Sequence, residues 1–193
     1  YDNIKSVVND YLKEGIAHTL DETRNLSDSG QFEDISLQQG IRQILYPYEE
    51  MEVLNPEWEV ILKDIIDSLF EEYNILNEEF GTYMVSRAYE YRQLLEYLVF
   101  RYFAKSIYDY DFLGKCQMLV TNFFVIRQMD IIRWLDNHRE YSFKDRMDVV
   151  HIFSRQVEYS EDNIENLYED FIFDDIFKTD SLIAILWIDS ENI

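Results

Sequence analysis

Glycine and proline are scarce, 5 and 2 in 193 residues. So few breakers exclude turn-rich sandwiches and glycine-dependent phosphate loops, and they favour long helices. Cysteine is nearly absent. The single thiol, Cys116, excludes a disulfide within the chain and any site built from several cysteines. It lies in an apolar helical pattern and reads as a buried core thiol. The three histidines, His18, His138 and His151, have no second His or Cys at ligand spacing, so no metal site is expected. Long apolar runs are missing too. Met118 to Ile126 is about half a membrane span and contains Thr121 and Asn122. With no signal peptide visible, the expected place is the cytoplasm. Positive charge is short: 17 Lys and Arg stand against 39 Asp and Glu, a net charge of -22. Such a surface repels nucleic-acid phosphates and anionic membranes. It suits a Lys-containing protein partner, beside the simpler reading that it confers solubility.

What is present is apolar and aromatic. Hydrophobic residues make up 47%, with 15 Tyr and 13 Phe. The chain can therefore bury a core rich in rings. Its length suits one helical domain over residues 1–193, with 1–35 as a peripheral helix and loop. It begins at Tyr1 rather than Met and reads as part of a larger protein.

The periodicity predicts an all-α fold: an irregular bundle of about seven or eight helices around an aromatic-rich core. A first helix is expected over Asn3 to His18, followed by a polar connection from Leu20 to Phe32. Ser36 with Gln39 reads as a capping box for a short helix that Pro47 stops. Asn55 and Pro56 open a third helix with the stripe Trp58, Ile61, Leu62, Ile65, Ile66 and Leu69. That pattern fades near Asn77, and Gly81 marks a break. A fourth helix, Met84 to Ile107, turns Tyr91, Leu94, Leu95, Leu98, Val99, Tyr102 and Phe103 inward. A fifth, Phe112 to Asn137, is apolar nearly all round and belongs at the centre. Ser142 with Asp145 starts a sixth, whose seam is Phe143, Met147, Val150, Ser154 and Val157. Ser160 caps a seventh, and Ser181 to Trp187 forms a last short helix. No two-residue alternation and no fixed-period repeat is visible.

Three arginines stand in apolar surroundings: Arg101, Arg127 and Arg155. A buried guanidinium needs a carboxylate or carbonyl partner, and Glu96, Asp130 and Glu158 are the candidates. The structural reading is a set of ion pairs that fix helix register. The functional reading is a polar pocket, joined by His151, that receives a substrate lysine or a cofactor carboxylate. His151 also reads simply as a partly buried, hydrogen-bonded histidine. The acidic runs, Tyr48 to Glu52, Glu71 to Glu79 and Glu158 to Asp175, read as solvated faces or as a docking surface for a basic substrate.

Four segments carry a resemblance: LEYLVFRYFA (Leu95 to Ala104), YDYDFLG (Tyr108 to Gly114), FVIRQMDIIRWL (Phe124 to Leu135) and IFSRQVEYSEDN (Ile152 to Asn163). In this order and spacing, the stretch Arg87 to Leu167 resembles the carboxy-terminal region of the FliB family of flagellin lysine-N-methylases. Tyr159 stands where family members often have His. The resemblance implies a helical carboxy-terminal domain that supports methyl transfer to protein lysine side chains, flagellin being the substrate. It also implies S-adenosylmethionine as donor, and an iron–sulfur or metal centre in a cysteine-rich amino-terminal segment. This chain has neither that segment nor a glycine-rich donor loop. It is therefore expected not to be catalytic alone. The alternative is a non-catalytic helical interaction module.

Overall fold

The computed structural model describes residues 37–71, 73–178 and 181–182. The helix expected over Asn3 to His18, the connection after it, the Ser36 cap and all but the start of the helix at Ser181 lie outside them. Every regular element among the described residues is helical. These are α1 (Leu37–Glu49), α2 (Pro56–Glu71), α3 (Tyr73–Met84), α4 (Ala88–Arg101), the single turn α5 (Ser106–Asp109), α6 (Phe112–Asp136), α7 (Phe143–Phe153) and α8 (Glu161–Phe173). Tight three-residue turns follow α3, α4 and α8, and a wide π turn, Ser154–Glu158, follows α7.

Six helices reach twelve residues among the described residues, fewer than the seven or eight expected. Two of the expected helices, the first and the last, lie wholly or mostly outside those residues, and the expected sixth falls just short of twelve. It runs eleven residues as α7 and then widens into the π turn. The stretch expected as the third helix is helical on both sides of Glu72, as α2 and α3, and Gly81 lies inside α3 rather than at a break. Pro47 does not stop α1, which continues to Glu49. Proline costs a helix one backbone hydrogen bond. Here the added turn buries Tyr48 completely, and its hydroxyl donates to Asn122 Oδ1 at 2.7 Å.

Caps fix where the other helices begin. Asn55 Oδ1 accepts the Glu57 amide at 3.1 Å ahead of Pro56, and Ser160 Oγ accepts the Asn163 amide at 3.1 Å ahead of α8. Ser142 and Asp145 form a reciprocal capping box on α7. Burial raises the Asp145 carboxyl, but hydrogen bonds from the Ser142 side chain and backbone and from Asn137 outweigh it. The net position is below the ordinary carboxylate value. The box therefore stabilises the fold above the ordinary carboxylate pKa, and its contribution fades as pH falls through the lowered folded value. Ser142→Ala should cost about 1 kcal/mol in urea unfolding at neutral pH, with a smaller difference in acid.

Helix α6 sits in the centre, packed against α2, α3, α4, α7 and α8. From Thr121 to Ile132 nearly every side chain is buried. The main core gathers Ile41, Ile44, Trp58, Leu62, Leu98, Met129, Phe153 and Leu167, among others. A smaller cluster of Leu76, Phe80, Met84, Ile131, Trp134 and Tyr141 closes the carboxy-terminal end of α6.

The expected phases need correction in three places. Cys116 is exposed, because the inward side of α6 runs through Met118, Asn122, Val125 and Met129. On α4, Leu94, Leu98 and Tyr102 are buried, while Leu95, Val99 and Phe103 lie on an outer apolar face with Phe100. On α7 the inward residues are Arg146, Val149, Ile152 and Phe153, and Phe143 and Met147 face out. A buried ion pair on Arg146 turns that helix, as described next.

Candidate functional site

Asp130, fully buried near the end of α6, organises the first polar centre. Arg146 of α7 forms an ion pair with it. Tyr141 donates to its Oδ1, and Tyr91 to its Oδ2 at 2.8 Å. The Arg146 guanidinium also lies 4.3 Å over the Tyr91 ring, and its Nε is 3.5 Å from Glu90 Oε2. Glu90 accepts from Arg87 Nε at 2.7 Å and Nη2 at 3.0 Å. Burial first, and Asp130 second, push the Tyr91 and Tyr141 phenols far up, so both stay protonated donors. Asp130 is raised by burial and pulled back by Arg146 and the two phenols. Asp130, Tyr141, Glu90 and Arg146 are all buried, and this centre is a structural clamp joining α4, α6 and α7.

The second centre lies on the π turn. Glu158 Oε1 accepts from Tyr102 at 2.9 Å, and Oε2 accepts from Tyr97 at 2.8 Å and Ser154 at 2.6 Å. Arg101 approaches from α4, with Nε 3.6 Å from Glu158 Oε1 and Nη2 donating to the Glu158 carbonyl at 3.3 Å. Burial and the Glu158 hydrogen bond push Tyr97 up to about 12, and Tyr102 goes further for the same reasons. Gln156, on the same turn, bonds the loop between α1 and α2. Its Oε1 accepts the Leu54 and Asn55 amides at 2.9 and 3.1 Å, and its Nε2 donates to the Glu52 carbonyl at 2.7 Å. Asn163 grips the same loop, its Oδ1 accepting the Glu52 amide at 3.1 Å and its Nδ2 donating to the Glu52 carbonyl at 3.2 Å.

The loop, α2, α6 and α7 enclose the third feature, an open cleft of about 570 Å³. Met129, Ile132, Val149 and Ile152 form an apolar floor. Glu57, Asp64, Asp136 and Asp148 stand along it, against Arg133 and Arg155. Carboxylates thus outnumber guanidiniums four to two at this cleft.

The five residues singled out in the sequence divide among these places. Arg101 and Glu158 meet. His151 and Arg155 line the cleft, and both are exposed. His151 is therefore not the half-buried, bonded histidine expected, and Arg155 does not pair with Glu158. Arg127 is buried between α6 and α3 and donates to Asn77 Oδ1. Glu96 pairs with Arg92 on the surface rather than with Arg101. Arg146, Glu90, Gln156 and Asn163 went unmarked in the sequence. The capping box at Ser142 marks the start of α7 but not which way Arg146 points.

Residues able to hold a metal do not gather: among the described residues no three His, Cys, Asp or Glu side chains stand in a metal-binding group. Cys116 has no second cysteine to share an iron–sulfur cluster with. Nor does a glycine-rich strand-to-helix turn exist among them to cradle a nucleoside donor. No helix among the described residues is long and apolar enough to cross a membrane.

Comparison with known proteins gives one family. The family model of the FliB lysine N-methylase C-terminal domain matches residues 1–185, well beyond the stretch whose motifs carry the resemblance. No curated protein and no solved structure matches the chain.

Proposed function

This chain belongs to the FliB lysine N-methylase C-terminal domain family, and from that membership we propose that it holds the substrate for a protein-lysine N-methylase acting in the bacterial cytoplasm. The substrate segment, that of a flagellin-like protein, lies in the cleft between α2, α6 and α7. One observation carries this reading: an apolar floor edged by Glu57, Asp64, Asp136 and Asp148. A lysine presents the matching profile, a methylene stem with a charged tip. The net charge of -22 adds long-range attraction for such a partner.

The same carboxylates limit what the cleft can do. Methyl transfer consumes the lone pair of a neutral amine. Carboxylates beside an ammonium raise its pKa and keep it charged. The cleft is therefore suited to capture a lysine-bearing segment, while the reacting lysine is deprotonated elsewhere. We place the donor, S-adenosylmethionine, and any iron–sulfur or metal centre outside the described residues, since no residue set here fits them.

Asp64→Asn combined with Asp136→Asn should weaken binding of a Lys-rich flagellin-derived peptide to the intact protein by about tenfold at low salt. The difference should shrink at high ionic strength, as screening predicts. Calorimetric titration checks it, and affinity unchanged by either the double substitution or salt sinks the reading. A second reading, an interaction module without part in catalysis, is favoured by the outer face of α4 and the turn beyond it. There Phe100 is 77% exposed, beside exposed Leu95, Val99, Ile107 and Tyr108. A methylation assay of the intact protein on flagellin separates the two.

A further inference from the structure

At the carboxy-terminal end of α6 lies a shallow cavity of about 430 Å³, lined by Glu78, Glu79, Thr82, Tyr83, Trp134 and Arg139. It shares no lining residue with the lysine cleft. Two rings make its corner. Trp134 and Tyr83 have centroids 5.8 Å apart and planes inclined by 49°. Phe80 supports both, 5.5 Å from Trp134 and 6.4 Å from Tyr83. Trp134 is 3% exposed, and its indole Nε1 has no hydrogen-bond partner among the described residues.

The corner already holds a cation. The Arg139 guanidinium stands 5.4 Å over the Trp134 ring, and its Nη2 is 3.0 Å from Glu79 Oε2. The hold is loose. The two side chains are 55% and 39% exposed, and Glu79 Oε2 receives no aligned hydrogen bond. The backbone carries Arg139 to this place. Its amide donates to the Trp134 carbonyl at 2.8 Å. His138 and Arg139 have φ of 57° and 67°, left-handed values uncommon for residues other than glycine. The chain thereby folds back over the last turn of α6 and lays Arg139 across the indole.

We propose that this corner binds a methylated lysine side chain and that Arg139 is its resident plug. A π face beside a carboxylate attracts cations, and quaternary ammonium groups are held this way. Methylation strips N–H donors from the ammonium and loosens its hydration. Ring faces repay little of an ammonium's hydration, so the corner matches the methylated form better than a plain, strongly hydrated ammonium. The weak Arg139–Glu79 contact lets an incoming cation take its place. The site would retain the product class of a lysine methylase, but its test does not depend on the cleft.

The experiment uses the full chain and a neutral-sequence peptide carrying one trimethyllysine, compared with the same peptide carrying unmodified lysine. NMR follows the indole N–H resonances of the chain's three tryptophans, with Trp134→Phe assigning the resonance. The Trp134 signal should move, with the trimethylated peptide favoured by about tenfold. Arg139→Ala should tighten that binding by about fivefold, and Glu79→Gln should weaken it by a similar factor. Should Trp134→Phe not fold, Glu79→Gln and Arg139→Ala, both at surface positions, carry the test by themselves. Equal binding of the two peptides, no tightening in Arg139→Ala, or no effect of Glu79→Gln overturns the proposal.

Discussion

Arg146→Met should cost the fold about 3–5 kcal/mol, the largest loss expected from any single polar side chain here. The reason is what remains behind. Asp130 is fully buried, and without Arg146 its charge would keep, among the described residues, the Tyr91 and Tyr141 hydroxyls. Glu90 would also lose the nearby guanidinium. The pair itself is a different matter: two charges taken out of water recover little more than their desolvation. Arg146→Met combined with Asp130→Asn should therefore be clearly more stable than Arg146→Met alone. That non-additivity is the signature of a charge made costly by losing its partner. Urea unfolding of the two variants beside the parent checks it. A single variant within about 0.5 kcal/mol of the parent would refute the clamp described for α4, α6 and α7.

Gln156→Leu should cost about 2–3 kcal/mol and act at a distance along the chain. Leucine nearly conserves the volume but accepts nothing. The Leu54 and Asn55 amides lose their acceptor, while the Glu52 carbonyl keeps Asn163. Hydrogen exchange should rise at those two amides more than in α6. Asn55 and Glu57 line the lysine cleft. The substitution should thus weaken peptide binding as well, even though Gln156 itself does not line the cleft. If exchange at Leu54 and Asn55 stays unchanged, the loop is held by something other than Gln156.

The helical class and the helix starts could be read from the sequence because they depend on neighbours. Asn55, Ser142 and Ser160 each act on an amide two or three residues away. Inward faces were harder. On a helix apolar nearly all round, such as α6, the hydrophobic pattern carries little phase information. The polar residues Asn122, Gln128 and Asp130 sit inside, and Cys116 sits outside. On α7 a pattern of Phe143, Met147 and Val150 points one way, and a single buried guanidinium overrides it. The meeting of Arg101 with Glu158 was within reach, because both were marked as a charge and its possible partner. The exposure of Arg155 was not. It sits in the π turn, where helical spacing no longer tells which side a residue faces. Gln156 and Asn163 escaped for another reason. Their partners are about a hundred residues away, and an amide side chain in a sequence gives no hint of which backbone it will bind.

That wide turn can also be understood as bookkeeping in residue number. A π turn is what an ordinary helix becomes when one residue is added without moving either end. Each residue in an α-helix advances the side-chain direction by about 100°. Excising the exposed Arg155 would restore regular winding and leave both ends in place. Excising one residue from α7 instead would swing everything after it through that angle, turning Glu158 away from Tyr97 and Tyr102 and moving Asn163 off Glu52. The turn therefore acts as a length buffer between α7 and α8, and in this stretch a single deletion would be less damaging than the same deletion in α7.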